Sequence, residues 1–139
     1  MVLVGYSLTA NIGSYPDNAV NPSWRENALY VIHAVTWPNE MLWAEISDFS
    51  THFTNEWLKP LRDVSPGAGS YHSEGDVIEP DFQQSFYGSA TYDRLFNIKK
   101  AIDPTGVFYA QNGVGSEEWY ISDQLQGLPT QNGRLCRRS

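Results

Sequence analysis

Residues 28–76 read ALYVIHAVTWPNEMLWAEISDFSTHFTNEWLKPLRDVSPGAGSYHSEGD. The first ten, 28–37, are β-branched and aromatic, which suits a pleated strand. His33 sits in the middle of that strand and reads as a core residue. After Pro38 the period changes. Leu42, Ile46, Phe49, Phe53, Trp57 and Leu61 recur at steps of three and four, the stripe of an amphipathic helix packed on a sheet. Asn39 is its expected cap, and Pro66 ends it because proline disfavours helical geometry in the residue before it. A strand followed directly by a helix predicts an α+β chain.

The flanks extend the pattern. Residues 2–10, VLVGYSLTA, read as a strand, and residues 13–22, with Gly, two Pro, Asp and two Asn, as a loop. Asn21-Pro22 is placed to open a short helix through Trp24 and Arg25. Residues 79–88, EPDFQQSFYG, predict a helical turn packed by Phe82, Phe86 and Tyr87. Residues 89–103 predict a second helix, with Leu95, Ile98 and Ala101 inward and Lys99 and Lys100 at the negative end of its dipole. Asp103-Pro104-Thr105-Gly106 is a turn, GVFYAQ a short strand and the polar stretch from Ile121 a loop.

Composition narrows the class. At 139 residues, 41% hydrophobic and 14% aromatic, the chain is domain-sized and able to bury a core. Nine basic against 16 acidic residues leave a charge of −7, and the only basic cluster is Arg134, Arg137 and Arg138. Nucleic acid and anionic membrane surfaces, which both require clustered cations, are therefore not expected partners. No window approaches the ~20 apolar residues of a membrane span. MVLVGYSLTA lacks the basic start of a signal peptide. The single Cys136 excludes an internal disulfide or a cysteine zinc site.

The stretch GAGSYHSEGD, residues 67–76, concentrates the chemistry. His72, Glu74 and Asp76 alternate, so a strand would place them on one face as possible metal ligands, but Gly75 interrupts it and no metal is expected. Ser73 beside His72 is no catalytic pair, since neighbouring strand residues point apart. Tyr71 is open to two readings: a buried tyrosine with its hydroxyl satisfied, or a positioned phenol that exchanges a proton with a substrate hydroxyl. The glycines of GVGSE lack the pattern of a phosphate loop and read as a tight turn.

Taken in order, NPSWR, GAGSYHSEGD, EPDFQQSFYGS, YDRLFNIKKAIDPTGVFYAQNGVGSEEW and NGRLCR resemble the C-terminal part of fungal FAD-linked oxidoreductases of the berberine bridge enzyme type, in the vanillyl-alcohol oxidase superfamily. The resemblance runs over nearly the whole chain and is densest at 67–119. It implies residues 1–112 as part of a substrate-binding domain, an antiparallel sheet with helices packed on one face, and 113–139 as a segment returning toward an FAD-binding domain that this chain lacks. The cofactor it implies is FAD, bound mainly by that other domain or chain, with a small molecule as substrate. An apolar surface awaiting that partner should be exposed. Members of the type are commonly secreted or belong to secondary metabolism.

Residue by residue, the resemblance makes Tyr71 the catalytic contact and puts Ser73, where many plant members carry Asn, and Asn112 on the cofactor side. Asn11 falls on the substrate side, where plant members place a glutamate base, and an amide cannot serve as a general base. His72, Glu74 and Asp76 read as structural, with both carboxylates holding the Gly-rich turn through backbone hydrogen bonds. Trp119 anchors the return segment. Two alternatives stand beside the oxidase: a ligand-binding or structural module without redox chemistry, and a flavin-containing cyclase that does without the usual base.

Overall fold

The computed structural model describes residues 2–8, 13–125, 128–130 and 132–139. Strand β1 (Val2–Ser7) pairs antiparallel with β2 (Leu29–Ala34), Val2 opposite Ala34 and Ser7 opposite Leu29. Between them lies α1 (Ser23–Glu26). It opens as predicted: the Asn21 side-chain oxygen accepts from the Ser23 N–H at 3.0 Å and the Asn21 carbonyl from the Trp24 N–H at 3.1 Å. β2 is shorter than the predicted 28–37 because pairing with β1 ends at Ala34.

The long helix is present but broken. Helix α2 (Trp43–His52) continues into a π-helical turn at Phe53–Trp57, and α3 (Lys59–Val64) follows. Pro60 is the physical reason: within a continuous helix its ring would collide with the carbonyl four residues earlier. Leu42 replaces Asn39 at the start, where its N–H donates to the Glu45 carboxylate at 2.9 Å. The apolar stripe is only partly covered. Ile46 is buried, while Leu42, Trp57 and Leu61 are exposed. His33 packs its ring edge-on to Phe53, centroids 5.1 Å apart, which joins β2 to the helical layer.

The second half is built around Phe86 and Tyr92. A π-helical turn, Gln83–Tyr87, buries Phe86, and α4 (Ser89–Ile102) buries Tyr92. Here the predicted inward face is displaced: Ile98 and Ala101 are exposed, and Tyr92 with half-buried Phe96 faces in instead. GVFYAQ is a turn, not a strand. Asp103 accepts from the Val107 and Phe108 N–H groups at 2.8 and 3.0 Å, so its carboxylate supplies the local partners a ladder would have supplied. The terminal stretch is more regular than its polar composition suggested: β3 (Trp119–Ile121) pairs antiparallel with β4 (Leu135–Arg137). Trp119 lies on Gly106, where an added Cβ would fall 2.6 Å from the indole, and Lys100 reaches Glu118 at 2.7 Å.

Among the described residues, helices and antiparallel strands are both present, as α+β requires, with the strands in two two-stranded ribbons. Among the described residues no helix is long and apolar enough to cross a membrane. The chain exposes 9472 Å². A folded monomer of 15.7 kDa is expected to expose about 7,300 Å². Large apolar side chains are among the exposed ones, including Leu3, Leu42, Trp43, Val64, Ile102, Val107 and Phe108.

Candidate functional site

Three short motifs far apart in sequence meet beneath residues 67–76. Asn21 is buried at 4% exposure and its amide donates to the Ser85 carbonyl at 2.9 Å. Gly69 has no room for a side chain, because a Cβ would fall 2.7 Å from the Asn21 amide nitrogen and 2.8 Å from the Ser23 Cβ. Ser70 donates its N–H to the same Ser85 carbonyl at 2.6 Å. Gly88 lies against Pro22 at φ +77, a conformation that favours glycine. The Asn-Pro-Ser turn is thus wedged between the Gly-rich run and the Phe-Tyr-Gly run, which fixes where Tyr71 emerges.

Tyr71 leads a 3₁₀ turn over His72–Glu74, and the Glu74 N–H donates to the Tyr71 carbonyl at 3.0 Å. The turn replaces the strand that alternation would need, so His72, Glu74 and Asp76 diverge. His72 Nε2 meets the Gln111 carbonyl at 3.1 Å and its ring packs on Phe86 at 5.2 Å. Glu74 accepts from the Tyr30 hydroxyl at 3.1 Å, a side-chain partner and not the backbone partner expected of it. Asp76 does hold the turn: it accepts from the Ile78 N–H at 3.0 Å and from the Thr54 hydroxyl at 2.6 Å. Thr54 is fully buried, and its carbonyl accepts from Arg62, which also pairs with Glu79 at 3.5 Å.

Tyr71 itself stands 47% exposed, edge-on to Trp24 with centroids 6.3 Å apart, and Trp24 tilts against Tyr30 at 5.0 Å. Burial is the main force that pushes the Tyr30 hydroxyl up to about 12, with the Glu74 carboxylate adding to it and the Tyr71 N–H opposing it. Tyr30 therefore keeps its proton and donates steadily to Glu74. Ser73 is exposed on the same turn as Tyr71.

Asn112 is buried, with φ +56, a region asparagine tolerates better than most residues. Its amide nitrogen donates to the Val77 carbonyl at 3.0 Å and its own carbonyl accepts from Tyr87 at 3.0 Å. The His72–Gln111 contact brings the Asn112 loop beside the Tyr71 turn. Asn11 lies outside the described residues. The Trp24–Tyr30–Glu74 group beside Tyr71 was not legible in sequence, because the Tyr30–Glu74 bond spans 44 residues. The available signal was Tyr30 itself, an aromatic with a polar tip inside an apolar strand.

A third assembly backs this one. The Tyr92 hydroxyl donates to Glu117 at 2.7 Å and accepts from the Gly115 N–H at 3.0 Å, which closes the GVGSE turn with Gly115 at φ +80. Burial, then Glu117, raises Tyr92 above the usual phenol range. GVGSE is the tight turn its glycines suggested.

Residues 70–115 match the family model described as "Berberine and berberine like". The FAD-linked oxidoreductase patO of Aspergillus clavatus is 35% identical over 139 residues, covering 99% of this chain and 23% of patO. The bifunctional decalin synthase calF of Penicillium decumbens is 34% identical over 131 residues, covering 91% of this chain and 21% of calF. The crystal structure of the VAO-type flavoprotein MtVAO615 from Myceliophthora thermophila C1 superposes with a TM-score of 0.78 at 30% identity, covering 95% of this chain and 22% of that one. The chain thus spans less than a quarter of the length of these relatives.

Proposed function

With a berberine and berberine-like segment at residues 70–115 and VAO-type FAD-linked relatives along nearly the whole chain as premise, we infer that this chain forms the substrate-side wall of an FAD-dependent oxidoreductase. On this reading residues 1–112 belong to the substrate domain and 113–139 return toward an FAD-binding domain or chain. The excess surface of the chain supports the need for such a partner, since 9472 Å² is far more than a self-sufficient monomer of this mass exposes.

The observation that carries the site is the state of the turn at 71–73. Its framework is tied down through Ser85, Gln111 and Glu74, while the Tyr71 ring and Ser73 are left open to solvent. Exposed hydroxyls on a fixed turn fit a bound flavin and substrate. Ser73 would offer its hydroxyl to the cofactor. The Asn112 amide is already bonded to Val77, so its part on the cofactor side would be to hold the neighbouring loop in place. A flavin bound against this turn would supply the redox chemistry, a hydride acceptor for a substrate carbon that O₂ can reoxidise. Tyr71 would orient a small organic substrate through its hydroxyl and exchange a proton with it, with Trp24 packed edge-on to one side of the ring. Asn11 would line the substrate side without acting as a base.

A second reading has its own support. YSLTANIGS has no carboxylate where the oxidase would need a base, and calF is named a bifunctional decalin synthase. A flavin-containing cyclase without net oxidation is the form that reading takes. A visible spectrum of the purified chain with its natural partner tests the first reading. Flavin absorbance and oxygen uptake on a candidate substrate are expected, and Tyr71→Phe should lower turnover by about 10²–10⁴ without changing flavin content. Flavin without oxygen uptake favours the cyclase, and a colourless, stable monomer overturns both.

A further inference from the structure

Tyr71 has its main chain held and its phenol free. Its φ of −91 and ψ of 119 lie in the broad extended region, which by itself leaves the direction of a side chain loosely set. Two bonds narrow it. The Glu74 N–H donates to the Tyr71 carbonyl at 3.0 Å. The Tyr71 N–H donates to the Tyr30 hydroxyl, which in turn donates to Glu74 Oε2 at 3.1 Å. With that third bond a circuit closes, from Tyr71 to Tyr30, from Tyr30 to Glu74 and from Glu74 back to Tyr71. The hydroxyl of Tyr71 has no partner among the described residues.

Tyr30 brings the sheet into this circuit. It stands in β2 opposite Tyr6 of β1, and its ring tilts against Trp24 at 5.0 Å. The same indole meets the Tyr71 ring edge-on at 6.3 Å, so one side chain touches both tyrosines. The other tethers of the turn hold its neighbours. Ser85 accepts from the Ser70 N–H, and the Gln111 carbonyl meets the His72 ring. They leave the N–H and C=O of Tyr71 to the Tyr30–Glu74 pair. Burial first, and then Glu74, pushes the Tyr30 hydroxyl up to about 12, so it remains a donor at any ordinary working pH.

A phenol that must meet a substrate hydroxyl within hydrogen-bond reach depends on where its Cα–Cβ bond points. A displacement of about 1 Å can lower a rate by roughly 10²-fold. We propose that Tyr30 is a positioning residue for Tyr71: through its hydroxyl and Glu74 it ties the Tyr71 turn to β2 and fixes the direction from which the phenol meets substrate. The Glu74 carboxylate serves this circuit as a hydrogen-bond acceptor and not as a charge. This inference rests on the reading of Tyr71 as the substrate contact.

The test has two arms. In the full chain, Tyr30→Phe keeps the ring on Trp24 and removes both hydroxyl bonds. Amide hydrogen exchange should speed up at least about tenfold at Tyr71 and Glu74, and by less than about threefold at Ser70, whose bond to Ser85 is untouched. In the flavin-loaded complex with the natural partner, Tyr30→Phe should lower kcat by about 10–10²-fold and change KM by less than about threefold. In a Tyr71→Phe background the same substitution should lower kcat by less than about twofold, because the hydroxyl it positions is gone. Glu74→Leu should match Tyr30→Phe, while Glu74→Gln, which can still accept from Tyr30, should lose at least about threefold less.

Three results each overturn the proposal: unchanged exchange at both amides, an equal loss of kcat with and without the Tyr71 hydroxyl, or Glu74→Gln as damaging as Glu74→Leu. All three leave the reading of Tyr71 as the substrate contact standing. Should Tyr71→Phe itself leave kcat unchanged, that reading falls and the positioning role falls with it.

Discussion

Gly75→Ala isolates the packing that holds the Tyr71 turn. Gly75 adopts φ −81 and ψ 168, an extended conformation that alanine shares. If nothing stood nearby, the substitution would stabilise the chain by about 0.4–1 kcal/mol through a less disordered unfolded state. But the new methyl would sit 2.4 Å from Phe86 Cε1 and 2.7 Å from Cζ, where carbon contacts are comfortable only near 3.5–4.0 Å. Phe86 has little room to withdraw. It is 6% exposed, with the His72 ring at 5.2 Å and Tyr87 at 6.4 Å. Overpacking of this kind costs about 1–3 kcal/mol, which exceeds the entropic gain. The net loss, about 1–2 kcal/mol, corresponds to a fall in Tm of roughly 3–10 °C for a domain of this size. Thermal unfolding followed by circular dichroism measures it. Phe86→Leu should then cost less in the Gly75→Ala background than alone, with a coupling of about 0.5–3 kcal/mol. An unchanged or raised Tm for Gly75→Ala would refute the packing argument.

Asn112→Leu removes the donor to the Val77 carbonyl and places a branched side chain at φ +56, so a loss of about 2–4 kcal/mol is expected in urea unfolding. Tyr30 binds its proton more tightly folded than unfolded. Its stabilisation is full below about pH 10 and lost as pH rises toward 12, so Tyr30→Phe should shrink the alkaline decline in stability, with Tyr87, Tyr92 and Tyr109 supplying the remainder. Asp103 behaves in the opposite sense: Lys99, at 2.5 Å, and the Phe108 and Val107 N–H groups hold its carboxyl below the usual range. Its stabilisation is present above about pH 4 and lost as pH falls, so Asp103→Asn should lower stability at neutral pH and flatten the acid arm of the pH–stability curve.

Much of the scaffold is readable without coordinates because its signals are local. Pro22 after Asn21 opens α1, the 3.6-residue stripe predicts the helical layer, and Pro66 ends it. The sequence misleads where one local signal competes with another. Pro60 breaks a stripe that hydrophobicity alone would continue through Leu61. In α4, Tyr92 faces inward in place of Ile98, because its hydroxyl has buried partners at Gly115 and Glu117 that make the polar aromatic the better core residue. β3 and β4 were hidden by their polar setting, since their pairing joins residues 119 and 137 across a long connection.

The order of motifs along the chain was enough, by itself, to point to the family type and to nominate Tyr71 as a candidate contact, since a linear pattern survives without any knowledge of contacts. What only the folded chain decided is the company Tyr71 keeps: Trp24, the Tyr30–Glu74 bond and the Asn21 wedge under Gly69 come from segments some 40 to 50 residues away. Spacing rules reach about one helical turn or one strand pair. Contacts between distant segments depend on the space left once every backbone polar group is paired, which the three-dimensional arrangement determines.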